Sequence, residues 1–486
     1  MVINWRTVAM LLGPAVYGLG VMALIPAVFS LISRTHELIY FLIVSVSCFA
    51  LGFGLRWLGR RQSLTSDATI RDLFGFTASL WIVATCISAF PFYMMLDELS
   101  FAASLFESAS GLSTTGATAI TGLDQQPRSL LLWRSILQYI GGVGFVMLAV
   151  AILPNVSLGG MNIFKTESTS FDSAAKFTPH VKTMALTLLG WYVTLTAACA
   201  ACYMYGGLDW FTAVNAAMTT IATGGMMPCD AQMNEMGPCV HYAATFFMLL
   251  SSCPFLLTFA ALVRGQVRAL VSDEQVQGLL MLVLCLGLIV SASLVIFNGY
   301  DVERALRVGF FNVVSILSTS GFALEDFTAW NNLATLLFFI IMPLGACSGS
   351  SSGGIKTFRI QVCFSLFRTQ IAKSVHPHLI TYPMFNRRPI DSDTLRSLIT
   401  YIVSYVILMF VSSLAAVVLG LGLTEAFSGT ISCLSNIGPA MGPVLGPSGS
   451  YAGLSDTVHL LFAFDMIVGR LEILPVLLFL TRTFWK

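Results

Sequence analysis

Charged side chains are scarce in this chain. Only 10% of its 486 residues are Asp, Glu, Lys or Arg, whereas 56% are hydrophobic and the mean hydropathy is +0.82. Soluble domains carry about 25% charged residues, so this shortage excludes a soluble globular protein. The net charge is only +1, which by itself argues neither for nor against any partner. We expect no nucleic-acid partner.

Metal-ligand patterns are also missing. The chain has eleven cysteines and six histidines, but none of them follows the short spacings of a metal site. Cys229 and Cys239 bracket one loop, and the sequence leaves open whether they form a disulfide, since it cannot fix their distance. No stretch resembles a separate soluble domain or an organic cofactor site, and we expect no organic cofactor on this chain.

Long apolar runs are what the chain has instead. Ten of them are long enough to cross about 30 Å of hydrocarbon. They cover 8–33, 38–58, 74–96, 130–153, 184–205, 240–263, 278–298, 333–363, 396–422 and 457–481. The first run is too long for the core of a signal peptide, so it counts as a membrane helix. The sequence therefore predicts an all-α polytopic membrane protein.

The basic residues predict its orientation. With ten spans both termini lie on one side of the membrane. Nineteen of the 25 Lys and Arg residues fall in segments on that side, and five fall on the other. By the positive-inside rule this asymmetry places both termini in the cytoplasm of a multi-pass protein.

One glycine-containing pattern recurs four times. Gly116, Gly224, Gly321 and Gly438 lie about 100 residues apart. Each ends a short segment, at 100–115, 208–223, 303–320 and 424–437, that is too brief to cross a bilayer. We interpret these segments as re-entrant half-helices, because irregular backbone at membrane depth must be buried in protein or line water.

The pattern divides the chain into two leading helices and four units. Each unit consists of a span, a half-helix and a second span arranged around one central pore. The predicted divisions are 1–70 for the two leading helices and 71–155, 156–265, 266–375 and 376–486 for the four pore repeats.

The glycine clusters suit a cation filter. A dehydrated cation needs several oxygens in place of its water shell, and rings of backbone carbonyls supply them. Glycine adopts positive φ without a Cβ penalty, and each half-helix directs its negative C-terminal end toward the membrane centre. The predicted filter residues are Thr114, Thr115, Gly116, Ala222, Thr223, Gly224, Thr319, Ser320, Gly321, Asn436, Ile437 and Gly438.

Two further features point to a gate. A glycine and serine run interrupts the span at 333–363, and it suits either a flexible gate or a small-residue packing interface. The predicted gate residues are Gly349, Ser350, Ser351, Ser352, Gly353, Gly354, Lys356 and Arg470. Arg470 lies within an apolar run, where an arginine is costly and should face water or a partner. A buried structural ion pair is the alternative interpretation.

These motifs together resemble the Trk-type potassium uptake proteins of the Trk/Ktr/HKT superfamily, over nearly the whole chain. The closest likenesses are S-T-T-G-A-T at 113–118, C-S-G-S-S-S-G-G-I-K-T-F-R at 347–359 and G-R-L-E-I-L-P at 469–475. The two leading spans favour Trk over Ktr. The departures are Ile437 before the fourth glycine and Gly225 after the second, where an aromatic residue is common in the family.

The resemblance implies a function, a location and partners. It implies K+ as the transported ion, a selectivity filter at the four glycines, an intramembrane gating loop and a pore arginine at Arg470. It also implies a homodimer in the bacterial inner membrane, working with a cytosolic regulatory subunit that binds NAD or ATP. The chain would then be a transporter and not an enzyme.

Two other functions stay open. Proton- or sodium-coupled potassium symport needs a titratable site near the pathway, and Glu107 is the candidate. Stabilisation of the start of its half-helix is the alternative interpretation of this carboxylate. A polytopic membrane enzyme needs an acidic metal cluster. The only close cytoplasmic pair, Asp391 and Asp393, stands beside three arginines and is a poor magnesium site.

Overall fold

The computed structural model describes residues 3–60, 69–152, 181–231, 233–473, 475–476 and 481. Within them the chain is mostly α-helical. The helices are α1 Trp5–Ser33, α2 Leu38–Gly59, α3 Ile70–Met95, α4 Phe101–Leu112, α5 Arg128–Ile152, α6 Val181–Tyr205, α7 Trp210–Ile221, α8 Pro238–Ser252, α9 Phe255–Val263, α10 Val267–Val271, α11 Glu274–Asn298, α12 Val302–Leu317, α13 Asn332–Ile341, α14 Thr357–Val375, α15 Ser392–Val418, α16 Leu423–Ser435 and α17 Asp456–Arg470.

Two very short strand pairs complete the described fold. Strand β1, Leu344–Gly345, pairs in parallel with β2, Ile355–Lys356, and so closes the loop between α13 and α14. Strand β3, Met384–Phe385, pairs antiparallel with β4, Arg388–Pro389, in a hairpin between α14 and α15. Single-turn 3-10 helices occur at Leu123–Gln125, Met233–Glu235 and Tyr451–Gly453.

The chain is a membrane protein, as the sequence predicts. In the described ranges six helices, α1, α2, α3, α6, α11 and α15, are long and apolar enough to span a bilayer, and a bent pair adds a seventh candidate. Their outward side chains are apolar: Phe53 is 68% exposed, Val46 65% and Met281 64%. Such exposed apolar surface suits contact with lipid tails.

Three of the expected spans are not straight helices. The run at 240–263 is bent by 112° between α8 and α9, because Pro254 lacks an N–H and favours extended backbone at Cys253 before it. The run at 333–363 is interrupted between α13 and α14, where the glycine and serine residues stand. The last run breaks after Arg470, since Glu472 and Ile473 take φ values of 58° and 60°.

The four half-helices are α4, α7, α12 and α16. Three of them begin at a side-chain cap, because Ser100, Asp209 and Asp301 accept backbone N–H groups of their first turns. The fourth begins after Gly422, which supplies no side-chain cap. Each half-helix packs against helices of its own repeat. The proposed division of the chain into repeats stays a prediction, and its boundary at 155 lies outside the described residues.

Candidate ion pathway

Each half-helix is followed by the same turn. The first residue of the turn is left-handed in every repeat, although none of the four is glycine. These residues are Thr114, Thr223, Thr319 and Asn436, with φ of 58°, 54°, 57° and 56°. Two positions later a glycine is again at positive φ: Gly116, Gly225, Gly321 and Gly438, with φ of 88°, 71°, 74° and 104°. Because positive φ is uncommon outside glycine, the recurrence indicates one shared conformation.

Backbone hydrogen bonds fix the register of the four turns. The middle residue of each turn donates its N–H to the carbonyl oxygen five residues earlier. The pairs are Thr115–Ser110, Gly224–Thr219, Ser320–Ser315 and Ile437–Ser432, at 2.8 to 2.9 Å. Gly225, and not Gly224, is therefore the equivalent of Gly116. By this register the positions equivalent to Thr114–Gly116 are Thr223–Gly225, one residue later than the predicted Ala222–Gly224, and Ala222 is the C-cap residue of α7. The filter role of these residues stays a prediction.

The sequence carries a signal for this register. Six residues before Gly116, Gly321 and Gly438 stands a serine. Counting from Gly224 gives Met218, whereas counting from Gly225 gives Thr219, which also has a hydroxyl group. Because Gly224 and Gly225 are adjacent, the glycine alone does not fix the register of the second turn. The hydroxyl group of Thr219, six residues before Gly225, does.

The four turns form a closed ring. A Cβ added at Gly116 would collide with the carbonyl oxygen of Gly224, and one at Gly225 with that of Ser320. A Cβ at Gly321 would collide with the carbonyl oxygen of Ile437. The fourth turn returns to the first, because the carbonyl oxygen of Thr115 blocks a Cβ at Gly438. Each repeat thus touches the next at backbone distance, where only glycine fits.

A cavity of about 250 Å³ opens on one side of this ring. We call it the vestibule. All four turns line it through their glycines and the residues that follow: Gly116, Ala117, Gly225, Met226, Gly321, Phe322, Gly438 and Pro439. Asp230 and Cys229 lie at its edge. The Asp230 carboxylate accepts the N–H groups of Leu123 and Asp124, at 2.8 and 3.2 Å, so it fastens the first repeat to the second.

The two loop cysteines are not bonded to each other. Cys229 and Cys239 are both free thiols. Burial and the neighbouring carboxylates of Asp124 and Asp230 raise the pKa of Cys229 to about 11. This thiol therefore stays protonated at neutral pH and is a weak nucleophile.

A buried ion pair supports the first turn. Glu107, in the middle of α4 and fully buried, accepts a hydrogen bond from Arg134 of α5 at 2.7 Å. It also accepts the N–H of Ala119 at 2.9 Å, just beyond the turn. Arg134 donates to the carbonyl oxygen of Met227 in the second repeat at 3.0 Å. Glu107 thus fixes the chain that leaves the turn. It does not stabilise the helix start, which Ser100 caps.

Two further residues that the sequence did not single out, Gln138 and Tyr451, hold turn atoms. Gln138 donates to the carbonyl oxygen of Gly224 at 2.7 Å. Its side-chain oxygen accepts the N–H of Met226 at 3.2 Å. Tyr451 donates its hydroxyl to the carbonyl oxygen of Gly438 at 2.8 Å. Sequence pattern could not identify these residues because each contact joins distant segments of the chain.

The interrupted helix places a loop, residues 346–356, directly against the ring. We call it the gate loop. Ser351 donates to the carbonyl oxygen of Ile221 at 3.1 Å and accepts from the hydroxyl of Thr223 at 3.1 Å. Gly353 donates its N–H to the hydroxyl of Thr319 at 2.8 Å. The side chains of two left-handed turn residues therefore point to this loop, on the side of the ring away from the vestibule.

The gate loop is also stabilised by hydrogen bonds between its own residues and by one from α9. Ser350 donates to the carbonyl oxygen of Cys347 at 2.6 Å, and its hydroxyl meets that of Ser352 at 3.1 Å. The buried Lys356 ammonium donates to the carbonyl oxygen of Ser352. Gly349 and Gly354 take positive φ, 79° and 67°. Gly349 also accepts the N–H of Phe255 at 3.1 Å, so the bend between α8 and α9 supports the loop.

Arg470 links the gate loop to α5. Its guanidinium donates to the carbonyl oxygen of Ser351 at 2.8 Å and to that of Gly141 at 3.1 Å. The residue is only 2% exposed. Arg470 therefore contacts Ser351, one of the predicted gate residues, and its role in gating stays a prediction.

A third buried arginine, besides Arg134 and Arg470, was not singled out by the sequence. Arg359 of α14 pairs with Glu472 at 2.6 Å and lies over the Tyr401 ring, 3.9 Å from its centroid. Because the chain turns sharply after Arg470, Glu472 leaves the helix face of α17 and reaches α14. The motif G-R-L-E thus directs its two charged residues to different helices.

These features define a polytopic helical membrane protein in which four equivalent turns form one ring, an arrangement that suits a transport protein. The family model for TrkH, described as a cation transport protein, matches residues 39–484. The chain belongs to this family, and the resemblance noted in the sequence is confirmed.

Individual relatives support the same conclusion. The chain is 35% identical to the Trk system potassium uptake protein TrkI of Halomonas elongata, over 85% of this chain and 84% of that protein. It is 29% identical to TrkH of Escherichia coli over 99% of this chain and the whole of that protein. The crystal structure of the potassium transporter TrkH from Vibrio parahaemolyticus superposes with a TM-score of 0.90, at 28% identity and 100% coverage of both chains.

Proposed function

We propose that this chain carries potassium ions into the cell across the bacterial inner membrane, through the ring formed by the four turns. The observation that carries the proposal is the closed ring of equivalent backbone turns, since a ring of main-chain oxygens replaces the water shell of a cation. The names of the relatives, all potassium uptake proteins, favour K+ as the ion.

The proposed ligands are the backbone oxygens of the corrected turns. They belong to Thr114–Gly116, Thr223–Gly225, Thr319–Gly321 and Asn436–Gly438. The half-helices support this role, because the negative end of each helix dipole lies next to the ring. With the termini in the cytoplasm, the vestibule faces outward and the gate loop lies on the cytoplasmic side of the filter.

Gating is assigned to the gate loop and Arg470. The loop lies against the inner side of the ring, and Arg470 holds it through the carbonyl oxygen of Ser351. A fixed positive charge at this place also opposes the passage of a cation. We infer that opening requires the Arg470 contacts to break, under control of a cytosolic nucleotide-binding subunit, in a homodimer with one pore in each subunit.

Growth of a potassium-uptake-deficient bacterium at low potassium tests this function. The native chain, expressed with a Trk-type cytosolic subunit, should restore growth and accumulate Rb+. Gly116→Ser should admit more Na+, because its Cβ forces the ring apart at the carbonyl oxygen of Gly224. Arg470→Ala should raise Rb+ flux in the absence of the cytosolic subunit.

A glycine outside the ring provides the matched control. Gly190 lies on the exposed face of α6, where a Cβ meets nothing within 4 Å, so Gly190→Ser should behave as the native chain. Membrane-inserted native protein that gives neither growth nor Rb+ accumulation would overturn the proposal.

A further inference from the structure

The hairpin between α14 and α15, residues 384–389, is connected to both ends of the gate loop through neighbouring residues. It lies about thirty residues beyond that loop in the sequence and belongs to the segment that we assign to the cytoplasm. Its two turn residues, Asn386 and Arg387, both have positive φ, 46° and 61°, as a tight two-residue hairpin turn requires.

A continuous chain of hydrogen bonds runs from Asn386 to the start of the gate loop. The Asn386 amide donates to Asp273 at 3.1 Å. The other oxygen of Asp273 accepts the N–H of Gln275 at 3.0 Å. The side-chain oxygen of Gln275 then accepts the N–H of Ser348 at 2.9 Å. Gln275 is fully buried, so water cannot take the place of its side-chain oxygen as the acceptor of the Ser348 N–H.

Glu274 makes two further hydrogen bonds to Asn386. It donates its N–H to the Asn386 side-chain oxygen at 2.9 Å, and its carboxylate accepts the N–H of Asn386 at 2.8 Å. Burial raises the pKa of Asp273, and the hydrogen bond from the Asn386 amide works against that rise. The hairpin turn is thus joined to the N-terminus of α11 by hydrogen bonds to two carboxylates, which are stronger than neutral ones.

The hairpin reaches the other end of the loop through an aromatic contact. Phe385 is 6% exposed and packs on Phe358, with ring centroids 6.2 Å apart. Phe358 stands two residues after Lys356, where the gate loop ends and α14 begins. Ser365, also on α14, donates its hydroxyl to the carbonyl oxygen of Met384 at 3.0 Å and accepts the N–H of Met384 at 3.0 Å.

We propose that this hairpin is the element that positions the gate loop, with Asn386 and Gln275 as the positioning residues. Because the hairpin holds both loop ends, a displacement of its turn changes the strain on Ser348 and Phe358 together. The outer side of the turn, with Arg387 and Arg388 exposed, is the part on which a cytosolic event can act. The inference rests on the gating role proposed above.

The test uses Asn386→Gly in the full-length protein. Glycine keeps the left-handed turn, so this variant removes only the amide contacts. Arg387→Gly is the matched control, because it makes the same backbone change one residue later. Gln275→Leu removes the second acceptor and serves as an independent variant.

The first measurement needs no transport. Cys347 is the second residue of the gate loop and Cys433 lies in α16, and both are fully buried. Their alkylation by N-ethylmaleimide can be followed separately by peptide mass spectrometry. Asn386→Gly and Gln275→Leu should speed alkylation of Cys347 about tenfold relative to Cys433, which corresponds to about 1.4 kcal/mol. Unchanged Cys347 alkylation in both variants would overturn the proposal.

The second measurement is Rb+ flux from proteoliposomes that contain this chain alone. Both variants should raise the flux, as Arg470→Ala does, whereas Arg387→Gly should not. Faster Cys347 alkylation without any Rb+ flux in Arg470→Ala would support the hairpin link and reject the transport function. Rb+ flux in Arg470→Ala with unchanged Cys347 alkylation in both Asn386→Gly and Gln275→Leu would support the transport function and reject the hairpin link.

Discussion

The first and fourth turns of the ring have the same backbone but different supports. In the first, a buried ion pair between Glu107 and Arg134 holds the chain beyond the turn. In the fourth, Gly429 stands nine residues before Gly438, where the first repeat has Glu107. Neutral groups hold it instead: the Asn436 amide donates to Thr115 at 3.1 Å and the Met466 carbonyl oxygen at 2.9 Å.

This difference shows which part of the repeat is constrained. The turn needs left-handed backbone, glycine and a close neighbour, and all four repeats supply these. The supporting side chains are free to differ, because a turn atom needs a partner but not a particular one. Energetically the two supports are unequal, since a buried charge left without its partner costs far more than a lost neutral hydrogen bond.

The largest effect is expected from Glu107→Gln in the first turn. The change leaves the Arg134 guanidinium buried without a carboxylate and should cost about 3–5 kcal/mol of stability. Thermal unfolding in detergent measures this loss. The control is Glu303→Gln on α12, which breaks a pair whose carboxylate is 54% exposed and should cost about 0–1 kcal/mol. Equal losses in the two variants would contradict the special role of the first support.

A smaller effect should separate the two glycines of the second turn. Gly225→Ala requires positive φ and collides with the Ser320 carbonyl oxygen, whereas a Cβ at Gly224 meets only the movable Gln138 side chain. Left-handed backbone alone costs an alanine about 1–2 kcal/mol. Rb+ uptake should therefore be lost in Gly225→Ala and only reduced in Gly224→Ala. The opposite order would restore Gly224 as the equivalent of Gly116.

Local features of the fold and the meeting of the four glycine turns were predictable from sequence, whereas the individual contacts between distant segments were not. The half-helices and the break at the glycine and serine run follow from chain-local signals, namely segment length and helix-breaking residues. The bend at Pro254 was missed although proline gives a local signal, because the run remains long and apolar across it. The partners Gln138, Tyr451 and Arg359 meet their targets across distant segments, so no spacing in the sequence reveals them.

The smallest effect is expected from Tyr451→Phe in the fourth turn. The change removes one hydrogen bond to the Gly438 carbonyl oxygen and keeps the ring packed on Phe106, with centroids 5.2 Å apart. A loss of about 1 kcal/mol is expected, together with a small fall in the ratio of Rb+ to Na+ flux, because this oxygen is a proposed ligand. Tyr405→Phe is the control, since its buried hydroxyl bonds Ser435 in α16 at 2.7 Å and not a turn carbonyl. It should lose similar stability without a change in the flux ratio, so an equal change in both variants would remove Tyr451 from the support of the fourth turn.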